Sequence, residues 1–360
     1  MARLPRAGKR AAADPAGGLQ PRPAGIPGLG EAGELVTAGT RRGDLRKREH
    51  TRASVEELAV RHRTWGVWGP DDELGAPNRV TAEKVLAAVR EVRKGAVFSL
   101  ALPLDRSGPQ GAGSLRANPQ HVMLVLPTDP WPGENPLQRF SDDAVYMPLQ
   151  SGTQWDGLCH AFYDGRTYNG RGTSSVTANQ GAKFNSVTNL KDRAVGRGVL
   201  LDVARWSGHD HLPTDASIQA EDLARCAADQ GVEVGEGDFV LVRTGELARV
   251  REAGSWGRYA GGPAPGLGVS AAEFLCSRRV SGVASDTWGL EALPYETSDL
   301  IAPLHAILLV NAGIYIGEMW DLEALAGDCA ADGGYAFLLA AQPLTITGAV
   351  GSPINPVAIK

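Results

Sequence analysis

Short apolar runs alternate with helix-like stretches through the second half of the chain, and this rhythm restricts the fold more than any other feature. Gly198-Val-Leu-Leu-Asp-Val203, Asp238-Phe-Val-Leu-Val-Arg-Thr244 and Val280 to Ser285 lack the polar alternation of a half-exposed strand. Each reads as a strand covered on both faces, and His305 to Val310 reads as a fourth. Between them, Ser217 to Gln230 reads as a helix closed by Gly231, and Ser270-Ala-Ala-Glu273 as a capping box opening a short helix. Buried strands separated by helices predict an α/β sheet with parallel parts.

The first half is less regular. Ser54 is the expected N-cap of a helix, with Glu57 completing its capping box, and Trp65, Trp68 and Pro70 end that segment. Thr81 to Lys94 predicts a second helix from the spacing of Val85, Leu86, Val89 and Val92. Val97 to Leu102, His121 to Leu126 and Ala144 to Gln150 read as strands, and Pro103 to Pro119 as a loop. No repeat and no Pro/Gly linker divides the chain beyond residue 51, so residues 51–360 are expected to form one α/β domain. Residues 1–50 are rich in Arg, Ala, Gly and Pro and poor in large apolar side chains, which predicts a disordered extension.

Composition removes several classes. A net charge of −5 offers no basic footprint for nucleic acid. No apolar run approaches the roughly 18 residues of a membrane span. The N-terminal Arg residues precede no apolar segment of a secretory signal, so a cytoplasmic protein is expected. The 4 Cys are scattered and form no Cys-x-x-Cys pair, which argues against a structural zinc knuckle.

Chemistry concentrates in Leu149-Gln-Ser-Gly-Thr-Gln-Trp-Asp-Gly-Leu-Cys-His160. Gln150, Gln154, Asp156 and His160 can all coordinate a metal or move a proton, and burying such a density of polar groups is costly without a role. The segment resembles the signature His-x-Gly-Thr-His-x-Asp-x-Pro-x-His of the cyclase family of metal-dependent hydrolases, which includes kynurenine formamidase and isatin hydrolase. Gly152, Thr153, Asp156 and His160 match at the same spacing; Gln150 and Gln154 replace two His, and Leu158 replaces Pro. The resemblance continues through Gly196 to Val203, Gly237-Asp238, Val242 to Gly245, Ser285 to Trp288, Pro303-Leu304-His305 and Gly313 to Met319. It implies a swivelling β/β/α fold with a mixed sheet, assembled as a homodimer or homotetramer.

The resemblance also implies a division of roles. Asp156, His305 and Glu318 would hold a metal, with Gln154 and Gln150 at the two altered positions, and His160 would transfer the proton. On the residues alone, Asp156 also suits an Asx-turn, His160 a hydrogen-bonded core, and Glu318 an ion pair with Arg243. An amide oxygen is a weaker zinc ligand than imidazole and better suits manganese, magnesium or calcium. The expected cofactor is therefore one divalent ion, manganese or zinc. Trp155, Tyr163 and Tyr168 are the aromatic candidates for holding a flat substrate.

These features predict a metal-dependent hydrolase that cleaves a carbon–nitrogen bond in an amide, formamide or lactam. A non-hydrolytic cyclase, dehydratase or lyase would use the same site, and a catalytically silent small-molecule-binding protein could share the fold. The absence of Gly-x-Ser-x-Gly disfavours a serine hydrolase of the α/β-hydrolase type.

Overall fold

The computed structural model describes residues 43–360, apart from 112–113, 131 and 133–136. The expected disordered extension lies outside the described residues as far as position 42. From Gly43 the chain is attached to the domain. Leu45 packs on the core and its carbonyl accepts from Ser217 N–H at 2.8 Å, while Arg48 N–H donates to Glu296 Oε1 at 2.9 Å. The packed domain thus starts several residues before the expected boundary at 51.

The protein is a mixed α/β structure. Eleven strands carry the description: β1 Val97–Ser99, β2 Gln120–Val125, β3 Asp142–Tyr146, β4 Gln154–Asp156, β5 Val195–Asp202, β6 Phe239–Arg243, β7 Gly282–Ser285, β8 Tyr315–Glu318, β9 Ala336–Ala340, β10 Gly351–Pro353 and β11 Val357–Ile359. Among the described residues, the main sheet has 9 strands in the order β1-β11-β9-β5-β6-β7-β8-β4-β10. Strands β5 to β8 are parallel, and antiparallel strands flank them on both sides. The parallel centre is where the apolar runs lie: every residue of β6 and β7 is buried. Helices Ala82–Val89, Ala220–Asp229, Ala271–Ser277 and Glu323–Asp332 supply the covering and crossover segments.

Close packing across the sheet requires glycine at particular places. A Cβ on Gly198 in β5 would lie 2.2 Å from the ring of Phe337 in β9. A Cβ on Gly317 in β8 would lie 2.6 Å from the Ala284 Cβ and 3.0 Å from the Trp155 ring.

Several expectations shift. The first helix is Arg52–Arg61, capped by Thr51, with Ser54 at the third helical position completing the box instead of Glu57. Ser270 does not cap its own helix; its hydroxyl accepts from Ala220 N–H at 3.1 Å and donates to Gln219. The expected strand from His121 and the one from Ala144 form a separate two-stranded hairpin, β2–β3, so Ala144 to Gln150 is not a sheet strand running into the polar segment. Leu124 and Tyr146 on this hairpin are exposed.

The largest correction concerns His305 to Val310. It is not a strand: His305 ends a short helix, Pro303–His305, that runs into a π-helix, Ala306–Ala312. All seven residues of the π-helix are buried, and a short apolar run has the same appearance in a buried helix as in a buried strand. A π-helical turn is uncommon and often lies beside a functional group.

Deleting residues 1–42 is expected to leave the thermal unfolding midpoint unchanged, since that segment lacks the large apolar side chains that repay ordering. Deleting 1–49 is expected to lower it by several degrees, because it strips Leu45 from the core and removes the bonds to Ser217 and Glu296. Equal midpoints for the two truncations, by calorimetry, would remove any structural role for residues 43–49.

Candidate metal centre

Strand β4 lies between β8 and β10, and its register decides which side chains meet. Gln154 pairs with Glu318, Trp155 with Gly317 and Asp156 with Ile316. Paired residues share a face and successive residues alternate. Gln154, Asp156 and Glu318 therefore stand on one face, and Trp155 on the other. Thr153 anchors the start of β4: its hydroxyl donates to the Met319 carbonyl and accepts from Leu102 N–H at 2.9 Å. The Trp320 indole N–H bonds to the Gln154 carbonyl at 3.1 Å, tying the chain after β8 back to β4.

His305 approaches from outside the sheet. Its Nε2 lies 3.7 Å from Asp156 Oδ2 and 3.5 Å from Glu318 Oε1. One ligand atom from each of the three residues falls within 4.8 Å of the others. Asp156 and Glu318 are buried, and Asp156 Oδ2 has no hydrogen-bond partner. Two buried carboxylates facing one imidazole, with an oxygen unpartnered, suit a divalent cation: the charges cancel and the donors are already grouped.

The protonation pattern points the same way. Burial and the charge of Asp156 push the Glu318 carboxyl above its usual range. Burial would also raise Asp156, but His160, His305 and Arg116 outweigh it and hold the carboxyl low. Burial disfavours a charged His305, yet the neighbouring carboxylates of Asp156, Glu291 and Glu318 outweigh it and raise it well above the ordinary histidine value. A proton on His305 Nε2 thus does part of the work of a cation, and a metal would compete with it.

Sequence reasoning did not single out Glu291. Its Oε1 lies 2.6 Å from His305 Nδ1 and 3.1 Å from His305 N–H, and its Oε2 accepts from Leu304 N–H at 3.1 Å. This bond holds the imidazole with Nδ1 as donor and Nε2 aimed at Asp156 and Glu318. Glu291 lies in a loop 14 residues before His305, and no local pattern marks it. Arg116 was missed too. It lies in the long loop before β2, with Nη1 4.0 Å from Glu318 Oε2 and bonded to the Gln150 carbonyl at 3.0 Å.

His160 follows β4 on a turn, not a helix, with its N–H bonded to the Gly157 carbonyl at 2.8 Å. The turn still brings Nε2 to 3.6 Å from Asp156 Oδ1, with the side chain 24% exposed. Gln154 presents its amide nitrogen to the carboxylates, 2.7 Å from Glu318 Oε2 and 3.4 Å from Asp156 Oδ1, and its Oε1 has no partner. In this rotamer it is a hydrogen-bond donor to both carboxylates. Gln150 Nε2 lies over Gly351 without a partner, and no hydrogen bond joins it to the carboxylates. The alternative for Glu318, an ion pair with Arg243, does not form; Arg243 pairs with Asp202 and Glu323.

A cavity of about 390 Å³ opens in front of these groups, with His160, His305 and Glu318 in its wall. Tyr163 lines it, and its hydroxyl bonds to Glu56 at 2.6 Å. Two aromatic expectations fail. Trp155 is fully buried on the opposite face of β4, packed at 4.9 Å edge-on to Trp320, with its N–H bonded to the Ala341 carbonyl at 2.8 Å. The alternation of the strand that aims Asp156 at the site turns Trp155 away from it. Tyr168 is also fully buried, over Gly313, with its hydroxyl bonded to Asp72 at 2.9 Å. Trp288 and Tyr295 line the cavity instead.

The chain matches the Cyclase family model, described as "Putative cyclase", over residues 76–292. It belongs to the cyclase family. A solved structure of a novel cyclase is 40% identical, covering 83% of this chain and 99% of that one, with a TM-score of 0.74. Isatin hydrolase A from Ralstonia solanacearum is 21% identical over 78% of this chain and 98% of its own, with a TM-score of 0.55. Isatin hydrolase A from Labrenzia aggregata, bound to benzyl benzoate, is 21% identical over 77% and 97%, with a TM-score of 0.53. These two hydrolases share the cyclase fold. No curated protein matches the chain. Among the described residues, no helix is long and apolar enough to cross a membrane.

Replacing Glu291 with Gln preserves its volume and one acceptor but loses the carboxylate behind His305. The fold should persist and divalent-metal affinity should fall roughly 10- to 100-fold, the usual effect of losing such a partner. Competition against a chromophoric chelator measures this, and unchanged affinity would show that Glu291 only caps the Pro303–His305 turn.

Proposed function

We propose that this cyclase-family protein is a metal-dependent hydrolase of a carbon–nitrogen bond in an amide, formamide or lactam. The observation that carries the reading is the convergence of Asp156, His305 and Glu318 within 4.8 Å beside a cavity whose wall includes His305, Glu318 and His160. The 2 negative charges of the ligand set support one divalent ion, manganese or zinc. When bound, such an ion supplies Lewis acidity to a carbonyl and lowers the pKa of a water.

The chain's own groups would do the rest. Asp156 and Glu318 hold the ion, and Glu291 orients His305 toward it. Gln154 donates to both carboxylates and keeps them turned inward. His160 is partly exposed and beside Asp156, so it can take a proton from the attacking water and return it to the leaving nitrogen. Tyr163, Trp288 and Tyr295 would flank a planar substrate. The homodimer or homotetramer that the family resemblance implies belongs to the same proposal; sedimentation reads it directly.

A second reading, a cyclase, dehydratase or lyase reaction at the same groups, is favoured by the 40% identical structure being called a cyclase. Turnover in oxygen-18 water separates the two, since only hydrolysis places solvent oxygen in the product.

One divalent ion per chain is expected by elemental analysis, and Asp156→Ala should abolish its uptake. Two ions at this site would show that Gln150 and Gln154 still act as full ligands. His160→Ala should keep the fold and the metal while kcat on an aryl formamide or lactam drops on the order of 10²-fold or more, with KM little changed. Metal loss in that variant would make His160 a ligand, and an unchanged kcat would make it a bystander.

A further inference from the structure

The cavity contains a positive charge that metal binding and proton transfer do not use. Arg116 lies in its wall. Its guanidinium carbon lies 5.3 Å over the Trp288 ring, and Trp288 Nε1 donates to Gln110 Oε1 at 3.2 Å. Gln110 in turn donates to the Ser151 carbonyl at 3.0 Å and accepts from the Ser114 hydroxyl, whose oxygen accepts from Arg116 N–H at 3.1 Å. Gln110 is buried, so the frame that fixes Arg116 is part of the core around the Gly152-Thr153 segment.

Little of the guanidinium is spent on this frame. Only Nη1 has a protein acceptor among the described residues, the Gln150 carbonyl. The remaining N–H groups face the cavity or solvent, and the side chain is 23% exposed. Glu318 is the one carboxylate in the cavity wall, at 4.0 Å from Nη1. Asp156 and Glu318 together cancel a divalent ion, so with the ion bound Arg116 is left without its partial counter-charge. Glu291 does not replace it: it sits behind His305 with its oxygens occupied by three N–H groups. A planar, preorganised donor fork next to an electrophilic centre calls for an oxyanion. The neighbouring wall is apolar and aromatic: Phe162, Tyr163, Trp288, Tyr295 and Ile301.

We propose that Arg116 is the anion-recognition residue of this cavity and that its ligand is an aryl carboxylate. The inference rests on the hydrolase reading only for the role of that ligand: the carboxylate is either carried by the substrate beside its amide or released when a lactam opens. The ring lies among the aromatic side chains, and the carboxylate accepts from the free N–H groups of Arg116.

The test measures binding first, on the full chain loaded with manganese, by calorimetric titration with benzoate and with its neutral isostere benzamide. Benzoate should bind at least about tenfold more tightly, the scale of a charge-assisted hydrogen-bonded pair. Arg116→Gln should erase that preference while benzamide affinity and manganese uptake stay the same, and Arg116→Lys, which keeps the charge but not the fork, should fall between. Equal affinities of the native protein for the two probes overturn the proposal without any variant. So does a benzoate preference that survives Arg116→Gln, which would place the carboxylate on the metal alone, or manganese loss in that variant, which would make Arg116 a support of the metal centre. Turnover then separates the sources. Preference for 2-formamidobenzoate over formanilide, lost in Arg116→Gln, assigns the carboxylate to the substrate; equal turnover of the two with Arg116-dependent inhibition by benzoate assigns it to the product. Turnover of neither, with Arg116-dependent benzoate binding intact, counts against the hydrolase reading and leaves the anion site standing.

Discussion

The antiparallel pairing of β4 with β8 is the contact on which the rest of the site depends. It sets Asp156 opposite Ile316 and Glu318 opposite Gln154, and so brings carboxylates separated by more than 160 positions onto one face. The same pairing puts Trp155 against Gly317 on the other face, where the indole needs the space that a Cβ would fill. A slip of β4 by one residue would turn Asp156 into the apolar core, away from Glu318, and present the indole to the cavity. The packing of Trp155 against Trp320 and Phe239 thus enforces the register that the polar side requires.

Grouping Asp156 and Glu318 is electrostatically unfavourable, and the fold offsets it with donors from distant segments. His305 comes from a short helix that leads into a π-helix, Arg116 from the loop before β2, and His160 from the turn after β4. Gln154 adds an amide N–H between the two carboxylates. Each donor is fixed in turn: His305 by Glu291, Arg116 by the Gln150 carbonyl and the Trp288 ring. The bond from Glu291 keeps the His305 imidazole turned toward the two carboxylates.

Much of this was legible in the sequence for a simple reason. Val199 to Leu201 and Phe239 to Val242 announce strands buried on both faces, because only the centre of a parallel sheet hides both sides of a strand. The spacing from Gly152 to His160, with the family resemblance it carries, pointed to Asp156 and His160, and the later His305 and Glu318 converge with them. Other features were misread where local pattern is ambiguous. His305 to Val310 is equally apolar as a strand or a π-helix. Trp155 stands inside the polar segment in sequence but on the far side of the strand in space. Tyr168 has the right residue type but is sealed in the core over Gly313.

The sequence by itself determined the class of fold and the strands at its centre, because these follow from periodicity, while the family resemblance carried by its motifs pointed to Asp156, His305 and Glu318. Tertiary structure alone decided which aromatics face the cavity, that Glu291 stands behind His305, and that Arg116 reaches Glu318. Those relations join loops to strands across long sequence separations, as with Glu318 and Arg116 some 200 residues apart. No local pattern encodes them, since they exist only when the strand pairing brings those segments to the same face.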